Sequence, residues 1–110
     1  MTAIIYQLPI ESNNIFRGYN KEKFDFSEYK KVYEWYITEE EIEGGNTDKL
    51  LDDIFYIFNC QHPNDFKGHS LSVSDIVVLG DDYYYCESIG WKNISKEIFW
   101  NILYNQIKMC

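Results

Sequence analysis

Four side chains that could bind a metal ion occur in the second half of the sequence: Cys60, His62, His69 and Cys86. Thiolates and imidazoles are the usual zinc ligands in proteins, where they occur in closely spaced pairs such as C-x-x-C. Here the spacings are C-x-H and H-x6-H, and Cys86 falls within a predicted strand. The sequence therefore disfavours a metal site, and we expect no cofactor.

A second group contains the side-chain types of a nucleophilic or acid–base site within seven residues. Its members are His69, Ser70, Ser72, Ser74 and Asp75. Catalytic triads assemble from distant parts of a fold, and serines ahead of an apolar strand usually satisfy the backbone of a turn. We therefore expect no enzymatic activity, and a ribonuclease acting through His62 or His69 stays open as an alternative.

Nucleotide-binding and nucleic-acid-binding signals are missing. The sequence has no G-x-G-x-x-G, P-loop or G-x-S-x-G motif. Its early basic residues Lys21, Lys23, Lys30 and Lys31 are interleaved with Glu22, Asp25 and Glu28. Direct binding to DNA or RNA is therefore disfavoured.

The net charge of −8 is concentrated in one segment. Residues 39–53 contain seven acids and one lysine, residues 1–38 are neutral, and residues 54–110 carry −2. Such a segment repels nucleic acid and attracts a basic protein groove that normally holds nucleic acid. A charged run can also be only a solvated face, and this alternative stays open.

The cysteines and the absence of targeting signals favour a cytoplasmic protein. The three cysteines include no C-x-x-C pair, which argues for a reducing compartment without a disulfide framework. The opening MTAIIYQLPI lacks a basic n-region, and no run of eighteen apolar residues occurs.

The stretch 66–90, FKGHSLSVSDIVVLGDDYYYCESIG, predicts a β-hairpin. Residues 75–79 are mostly β-branched and apolar on both faces, which indicates a central strand covered on each side. Gly80, Asp81 and Asp82 are turn residues, and the aromatic run 83–86 predicts the return strand.

The other elements follow from periodicity and capping signals. We predict strands at 3–8 and 29–38, with a loop at 11–27 that contains a helical turn near 15–20. In the second strand, alternation places an inward set at Tyr29, Lys31, Tyr33, Trp35 and Ile37. A helix is predicted from Asn46 or Thr47 to about Asn59, with an apolar stripe at Leu50, Leu51, Ile54, Phe55, Ile57 and Phe58.

A last helix, with Ser95 as its N-cap, completes the pattern. Its predicted apolar face comprises Ile98, Phe99, Ile102, Leu103 and Ile107. Trp100 and Tyr104 flank this face, where the edge of the core is favoured over an exposed pair. The prediction is a single α+β domain over residues 1–110, ordered β-β-α-β-β-α. It has a four-stranded, mostly antiparallel sheet with two helices packed on one side.

The hairpin region also resembles a known family. The sequence HPNDFKGHSLSVSDIVVL followed by YYYCESIGW is similar to the signature of the YodL-like domain, found in accessory proteins of conjugative elements and phages. The matching positions are 62–63, 65–66, 68–79, 85–86, 88 and 90–91, and the opening IIYQL fits the first strand of that family. The resemblance is strong over 50–91, looser over 1–38, and is not a catalytic signature.

The resemblance indicates a genomic context and not a reaction, because the genes of such domains occur together with antirestriction and mobilisation genes. For a small acidic protein it implies an anti-CRISPR role. Effector nucleases of type II CRISPR systems hold guide RNA and target DNA in basic channels, so the acidic composition agrees with that role. We therefore expect an inhibitor that binds the basic surface of such a nuclease and blocks guide loading or target binding.

The expected partner-binding residues are of two kinds. The acids are Glu39, Glu40, Glu41, Glu43, Asp48, Asp52, Asp53, Asp81 and Asp82. The aromatic anchors are Trp35, Tyr36, Trp100 and Tyr104. One alternative is an interaction module of a mobile element with another partner, and the other is a ribonuclease that acts on guide RNA.

Overall fold

The computed structural model describes residues 1–42 and 45–108. Their fold is a five-stranded antiparallel sheet with two helices, in the strand order β2-β1-β3-β4-β5. The elements are β1 Thr2–Gln7, β2 Lys30–Tyr36, α1 Thr47–Cys60, β3 Ile76–Leu79, β4 Asp82–Cys86, β5 Trp91–Asn93 and α2 Ser95–Lys108. The α+β class is confirmed.

The predicted hairpin lies at the centre of the sheet. All four residues of β3 are buried, and β3 pairs with β1 on one side and β4 on the other. Gly80, with a φ of 64°, makes the turn into β4. The doubly apolar run therefore occupies the position that its composition predicts, covered on both faces.

The first helix covers one face of the sheet. It begins after Asn46, whose side chain accepts a hydrogen bond from the backbone of Lys49. Its buried face is narrower than the predicted apolar stripe. The buried residues are Leu51, Ile54 and Phe58. These three share a core with Ala3, Ile5, Val77 and Leu79 of the sheet.

The second helix lies on the opposite face, so the prediction of both helices on one side is wrong. Ile98 of α2 packs with Ile76, Val78 and Tyr85, whose side chains point away from α1. Successive strand residues face opposite sides of a sheet, and β3 therefore supplies apolar groups to both helices. An additional layer of aromatic side chains from the 19–29 region completes this second core.

Two further details differ from the sequence-based prediction. The sheet has a fifth strand, β5, which pairs with β4. The segment 15–20 contains no helix, and the short 3₁₀ turn nearest to it is Phe26–Glu28.

The predicted inward face of β2 holds only for its second half. Tyr33, Trp35 and Ile37 face α1, whereas Tyr29 packs in the core beneath α2. The register shifts between Ile5 and Tyr6, so that Val32 is an additional residue on β2. A bulge of one residue reverses the alternation of the side chains before it.

No helix within the described ranges is both long enough and apolar enough to cross a membrane.

Candidate protein-binding site

Acidic residues from distant parts of the chain meet at one end of the sheet. Tyr36 at the end of β2 pairs with Thr2, and the Gly80 N–H donates to the Thr2 carbonyl at 2.9 Å. The 3₁₀ turn Glu39–Glu41 and the hairpin turn at Asp81 therefore lie beyond the same sheet end. Since neighbouring strands are about 4.8 Å apart, β2 and β4 are separated by about 14 Å there.

Asp48, in the first turn of α1, belongs to the same region. Burial, and then the charges of Asp82 and Asp48, raise the pKa of Tyr84 on β4. Both carboxylates are therefore near enough to the Tyr84 hydroxyl to act on it electrostatically. We call the set Glu39, Glu40, Glu41, Asp48, Asp81 and Asp82 the acidic end of the sheet.

The charges of the acidic end are largely free to meet a partner. All six residues are exposed. Within the described ranges, no lysine or arginine side chain forms an ion pair with Glu39, Glu40 or Asp81. The amino group of Met1 lies nearby and donates to the Ile37 carbonyl at 2.8 Å. The acidic end therefore presents a negative field that the protein itself compensates only in part.

A groove beside the acidic end brings together predicted anchors and predicted acids. It lies between β2 and α1 and has a volume of about 360 Å³. Trp35 and Tyr36 line it from the strand, Ile54 and Ile57 from the helix, and the carboxylate residues Glu41 and Asp53 also contribute to its wall. We call this the β2–α1 groove. A groove with an apolar lining and carboxylates in its wall is suited to a cationic segment that also carries apolar side chains.

Not every predicted acid offers an unpaired charge to these two surfaces. Asp53 pairs with Lys49 at 3.2 Å, one turn earlier on α1, so its charge is partly compensated. Asp52 is exposed on α1 and does not line the β2–α1 groove. Glu43 lies outside the described residues.

Trp100 and Tyr104 are exposed, so their predicted place at the edge of the core is wrong. They are 65% and 63% accessible on α2, and they line a shallow groove with Tyr19 and Lys21. This groove lies on the face of the sheet opposite α1. The four predicted anchors therefore form two separate aromatic surfaces and not one.

The described cysteines and histidines belong to no metal-binding cluster. No group of three or more potential metal-binding side chains occurs in the part of the chain that the structure describes. Cys60 is exposed, whereas burial raises the pKa of the Cys86 thiol to about 12. A thiol with so high a pKa is a poor ligand and a poor nucleophile. Cys110 lies outside the described residues.

His69 and Asp75 belong to a buried polar network centred on Gln7. Gln7 Nε2 donates to Asp75 Oδ2 at 3.0 Å and to the His69 carbonyl at 2.9 Å. The His69 N–H donates back to Gln7 Oε1 at 3.1 Å. Burial raises the pKa of Asp75 to about 6, against the opposing effect of hydrogen bonds from Ser72 and Gln7 and the charge of His69.

The network differs from an open acid–base site. His69 Nε2 and Asp75 Oδ1 are buried and have no hydrogen-bond partner among the described residues. The ring of Phe16 packs against the imidazole with centroids 6.0 Å apart. For His69 to reach the hydroxyl of an RNA substrate, the loop that carries Phe16 would have to move.

The serine and aromatic residues of the motif region anchor the long loop between β1 and β2. The Phe16 N–H donates to Ser74 Oγ at 3.0 Å, and the Tyr19 N–H donates to Glu87 Oε1 at 2.8 Å. The hydroxyl of Tyr85 donates to the Arg17 carbonyl at 2.7 Å. These contacts give the motif a structural role in positioning the loop.

Sequence reasoning missed Gln7 as the centre of the network. Gln7 is 2% exposed at the end of the apolar run that forms β1. A polar residue within such a run signals a buried hydrogen-bonding group, because an unsatisfied amide in a core is costly.

The family model of the YodL-like domain matches residues 2–97, which is most of the chain. The chain belongs to the YodL-like domain family. No curated protein and no solved structure matches it. The YodL-like match includes both the acidic end and the β2–α1 groove, and it ends within the first turn of α2. The exposed Trp100 and Tyr104 therefore lie beyond the matched residues.

Proposed function

We propose that this YodL-like protein is an anti-CRISPR inhibitor that binds the basic guide-RNA or DNA-binding surface of a type II effector nuclease. The acidic end would occupy lysine and arginine side chains that otherwise hold polynucleotide. The protein would act by occupancy, without catalysis. Either guide loading or target binding would then be blocked.

The observation that carries the proposal is the convergence of Glu39–Glu41 with Asp81 and Asp82. These residues are about forty positions apart in sequence and lie at one end of the sheet. A field built from several exposed carboxylates speeds the encounter with a basic surface and disfavours acidic ones.

Charge alone gives modest affinity, so a binding surface also needs buried apolar anchors. Trp35 supplies one in the β2–α1 groove, where Glu41 and Asp53 are part of the same wall, and the exposed ring of Tyr36 lies at the margin of this groove. This juxtaposition of aromatic and acidic side chains fits a basic protein surface better than a free polynucleotide, which the acids would repel.

The test is a pull-down of the effector nuclease by this protein, with and without preloaded guide RNA. Capture of the free nuclease only indicates a block of guide loading, whereas capture of both forms with loss of target binding indicates a block at the DNA site. Failure to capture either form, with nuclease cleavage unchanged, would overturn the proposal. Guide RNA shortened by the purified protein would instead favour the ribonuclease alternative.

An interaction module with another mobile-element partner is the second candidate. The family match favours it to the same degree, because a YodL-like domain by itself names no partner. Charge reversal at the acidic end that leaves CRISPR interference unchanged would support this candidate.

A further inference from the structure

One edge of the sheet has unpaired backbone groups. β2 is an edge strand, and among the described residues β1 is its only neighbour in the sheet. Ile37 and Met1 form a hydrogen-bonded pair, since the Ile37 N–H donates to the Met1 carbonyl and the Met1 amino group donates to the Ile37 carbonyl, both at 2.8 Å. In an antiparallel ladder such pairs alternate with pairs whose backbone groups point outward.

The alternation identifies the outward-pointing residues. Trp35 and Tyr33, which pair with Ala3 and Ile5, follow the pattern of Ile37 and bond to β1. Glu34 and Tyr36 lie between them, so their N–H and C=O groups point to the free edge. Within the described ranges, neither residue has a backbone hydrogen bond outside the sheet.

The free edge is short and has defined limits. On one side it is limited by the bulge at Val32 and by the exposed lysines Lys30 and Lys31, which discourage indiscriminate strand pairing. On the other side Thr38 turns the chain away, because its N–H bonds to Glu41 Oε2 and its carbonyl accepts from the Glu41 N–H. A pairing strand of three or four residues would fit between these limits.

The β2–α1 groove lies directly beside this edge. Trp35 and Tyr33 of β2 and Ile57 of α1 give it an apolar lining. Acids occur toward both ends, since Glu41 and Asp53 contribute to its wall and Asp65 accepts a hydrogen bond from the Tyr33 hydroxyl at 2.9 Å. A strand added to β2 would place alternate side chains over this lining and between these carboxylates.

We propose that β2 binds an extended segment that pairs with the backbone of Glu34 and Tyr36 and whose every second side chain, on the side facing α1, is in turn basic and apolar. Its apolar side chains enter the β2–α1 groove, and its basic ones on the same side meet Glu41, Asp53 and Asp65. This mode of binding is β-strand addition, in which backbone bonds supply affinity and side chains supply selectivity. The inference deepens the proposed function, on which its choice of a basic protein partner rests.

Charge decides against a second copy of this chain as the occupant. Glu34 and Asp53 are paired with Lys31 and Lys49 of the same chain, at 2.9 Å and 3.2 Å, so these side chains add little repulsion between two paired β2 edges. The net charge of −8, however, produces a general repulsion between copies. A cationic segment avoids this repulsion.

The probe is a synthetic ten-residue peptide in which every second residue is serine and the residues between are lysine and valine in turn, so that one face of the extended peptide carries both. It is titrated into the full ¹⁵N-labelled chain. We expect shifts in the resonances of 33–36 and slowed amide hydrogen exchange at Glu34 and Tyr36. The exchange rate of the Trp35 amide, which is already bonded to β1, should change little. The same peptide with glutamate in place of each lysine is the matched control and should not bind.

Two variants separate the backbone contribution from the ring. Tyr36→Ala and Tyr36→Pro both remove the ring, but only Tyr36→Pro removes the outward N–H. The peptide should bind Tyr36→Pro about threefold to tenfold more weakly than Tyr36→Ala, the effect of one net hydrogen bond. Exchange measurements on the wild-type chain keep the test decisive if the proline variant does not fold.

Protection at other amides, or equal binding of the glutamate peptide, would overturn the inference. The nuclease assay distinguishes this failure from failure of the proposed function. If the peptide protects Glu34 and Tyr36 but the protein does not inhibit the nuclease, the groove inference stands and the function fails. If the peptide does not bind there but reversal of the acidic end abolishes inhibition, the function stands and the groove inference fails.

Discussion

Gln7 and Asp75 hold each other in the interior of the protein, where Nε2 of the amide donates to Oδ2 of the carboxylate at 3.0 Å. Gln7 is the last residue of β1, and Asp75 immediately precedes β3, the neighbouring antiparallel strand. The two residues are sixty-eight positions apart in sequence. Asp75 is fully buried, and its second oxygen has no hydrogen-bond partner among the described residues. A carboxylate in this position is stabilised on one side only, which has a measurable consequence for stability.

We expect the stability of the protein to depend on pH through Asp75. Burial raises its pKa from 3.8 to about 6 in the folded state, so folding favours the protonated form. Its contribution to the free energy of unfolding is fully present below pH about 4 and is lost as the pH rises through about 6. Asp75→Asn keeps an acceptor for Gln7 and Ser72 but cannot ionise. The free energy of unfolding of this variant, measured in urea, should rise relative to that of the wild type by about 2–3 kcal/mol between pH 4 and pH 7.

The matched control is Asp52→Asn, which removes an exposed carboxyl from α1. Parallel pH profiles for the wild type and Asp75→Asn would contradict the burial of a titrating carboxyl at this site.

Gly68→Ala should destabilise the same network. An added Cβ would clash with Oε1 of Gln7 and would lie 2.8 Å from the ring of Phe66, and both neighbours are buried. Overpacking of this kind costs about 1–3 kcal/mol. Thermal or urea unfolding measures the loss. Ser70→Ala, an exposed neighbour, should remain close to the wild type.

Reversal of charge at the acidic end should weaken binding to the effector nuclease. The variant Glu40→Lys with Asp81→Lys changes the two turns that meet there, and we expect at least a tenfold rise in Kd, about 1.4 kcal/mol, with loss of inhibition. Glu11→Lys with Glu22→Lys changes the net charge equally in the β1–β2 loop, where both side chains are exposed. Equal effects of the two pairs would show that only total charge matters.

Binding to the nuclease should weaken as salt increases. Exposed carboxylates at the acidic end act over a Debye length of about 8 Å at physiological ionic strength and about 3 Å at 1 M. The association rate, measured by surface-based kinetics from 0.05 to 0.5 M salt, should therefore fall more than the dissociation rate rises. A Kd independent of salt would count against an electrostatic role for these acids.

The exposed aromatic residues of α2 should contribute little to folding. Trp100→Ala and Tyr104→Ala remove rings that are mostly in solvent, so each should change the free energy of unfolding by about 0.5 kcal/mol or less. Ile98→Ala, two residues before Trp100 and on the buried side of α2, should cost about 2–4 kcal/mol. A large loss of stability for Trp100→Ala would show that this ring is packed in solution.

Local signals were sufficient for β3, β4 and α1. The doubly apolar run at 75–79, the turn at Gly80 and the Asn46 cap act on residues close in sequence, and each predicted its element. β5 has three residues and no pattern of its own, and it exists because Trp91–Asn93 can pair with β4. The bulge at Val32 could not be predicted from the sequence either, because it is defined by the pairing of β1 with β2 and not by the residues of one strand.

Candidate binding residues followed the same division. The sequence identified candidate acids and aromatics but not the surfaces on which they lie. The helix α2 is apolar around much of its circumference, from Phe99 to Ile107. A stripe this wide does not specify which side packs. Only the fold showed that Ile98 is buried while Trp100 and Tyr104 are exposed.

The sequence by itself determined the central hairpin, the amphipathic first helix, the acidic segment and the family, because short-range patterning and a long motif carry that information. Only the tertiary structure decided that α1 and α2 cover opposite faces, that Glu40 and Asp81 lie at the same sheet end, and that, among the described residues, the backbone groups of Glu34 and Tyr36 lie on the free edge of β2. The physical reason is strand pairing: the register between β2, β1, β3 and β4 joins positions that no local pattern relates.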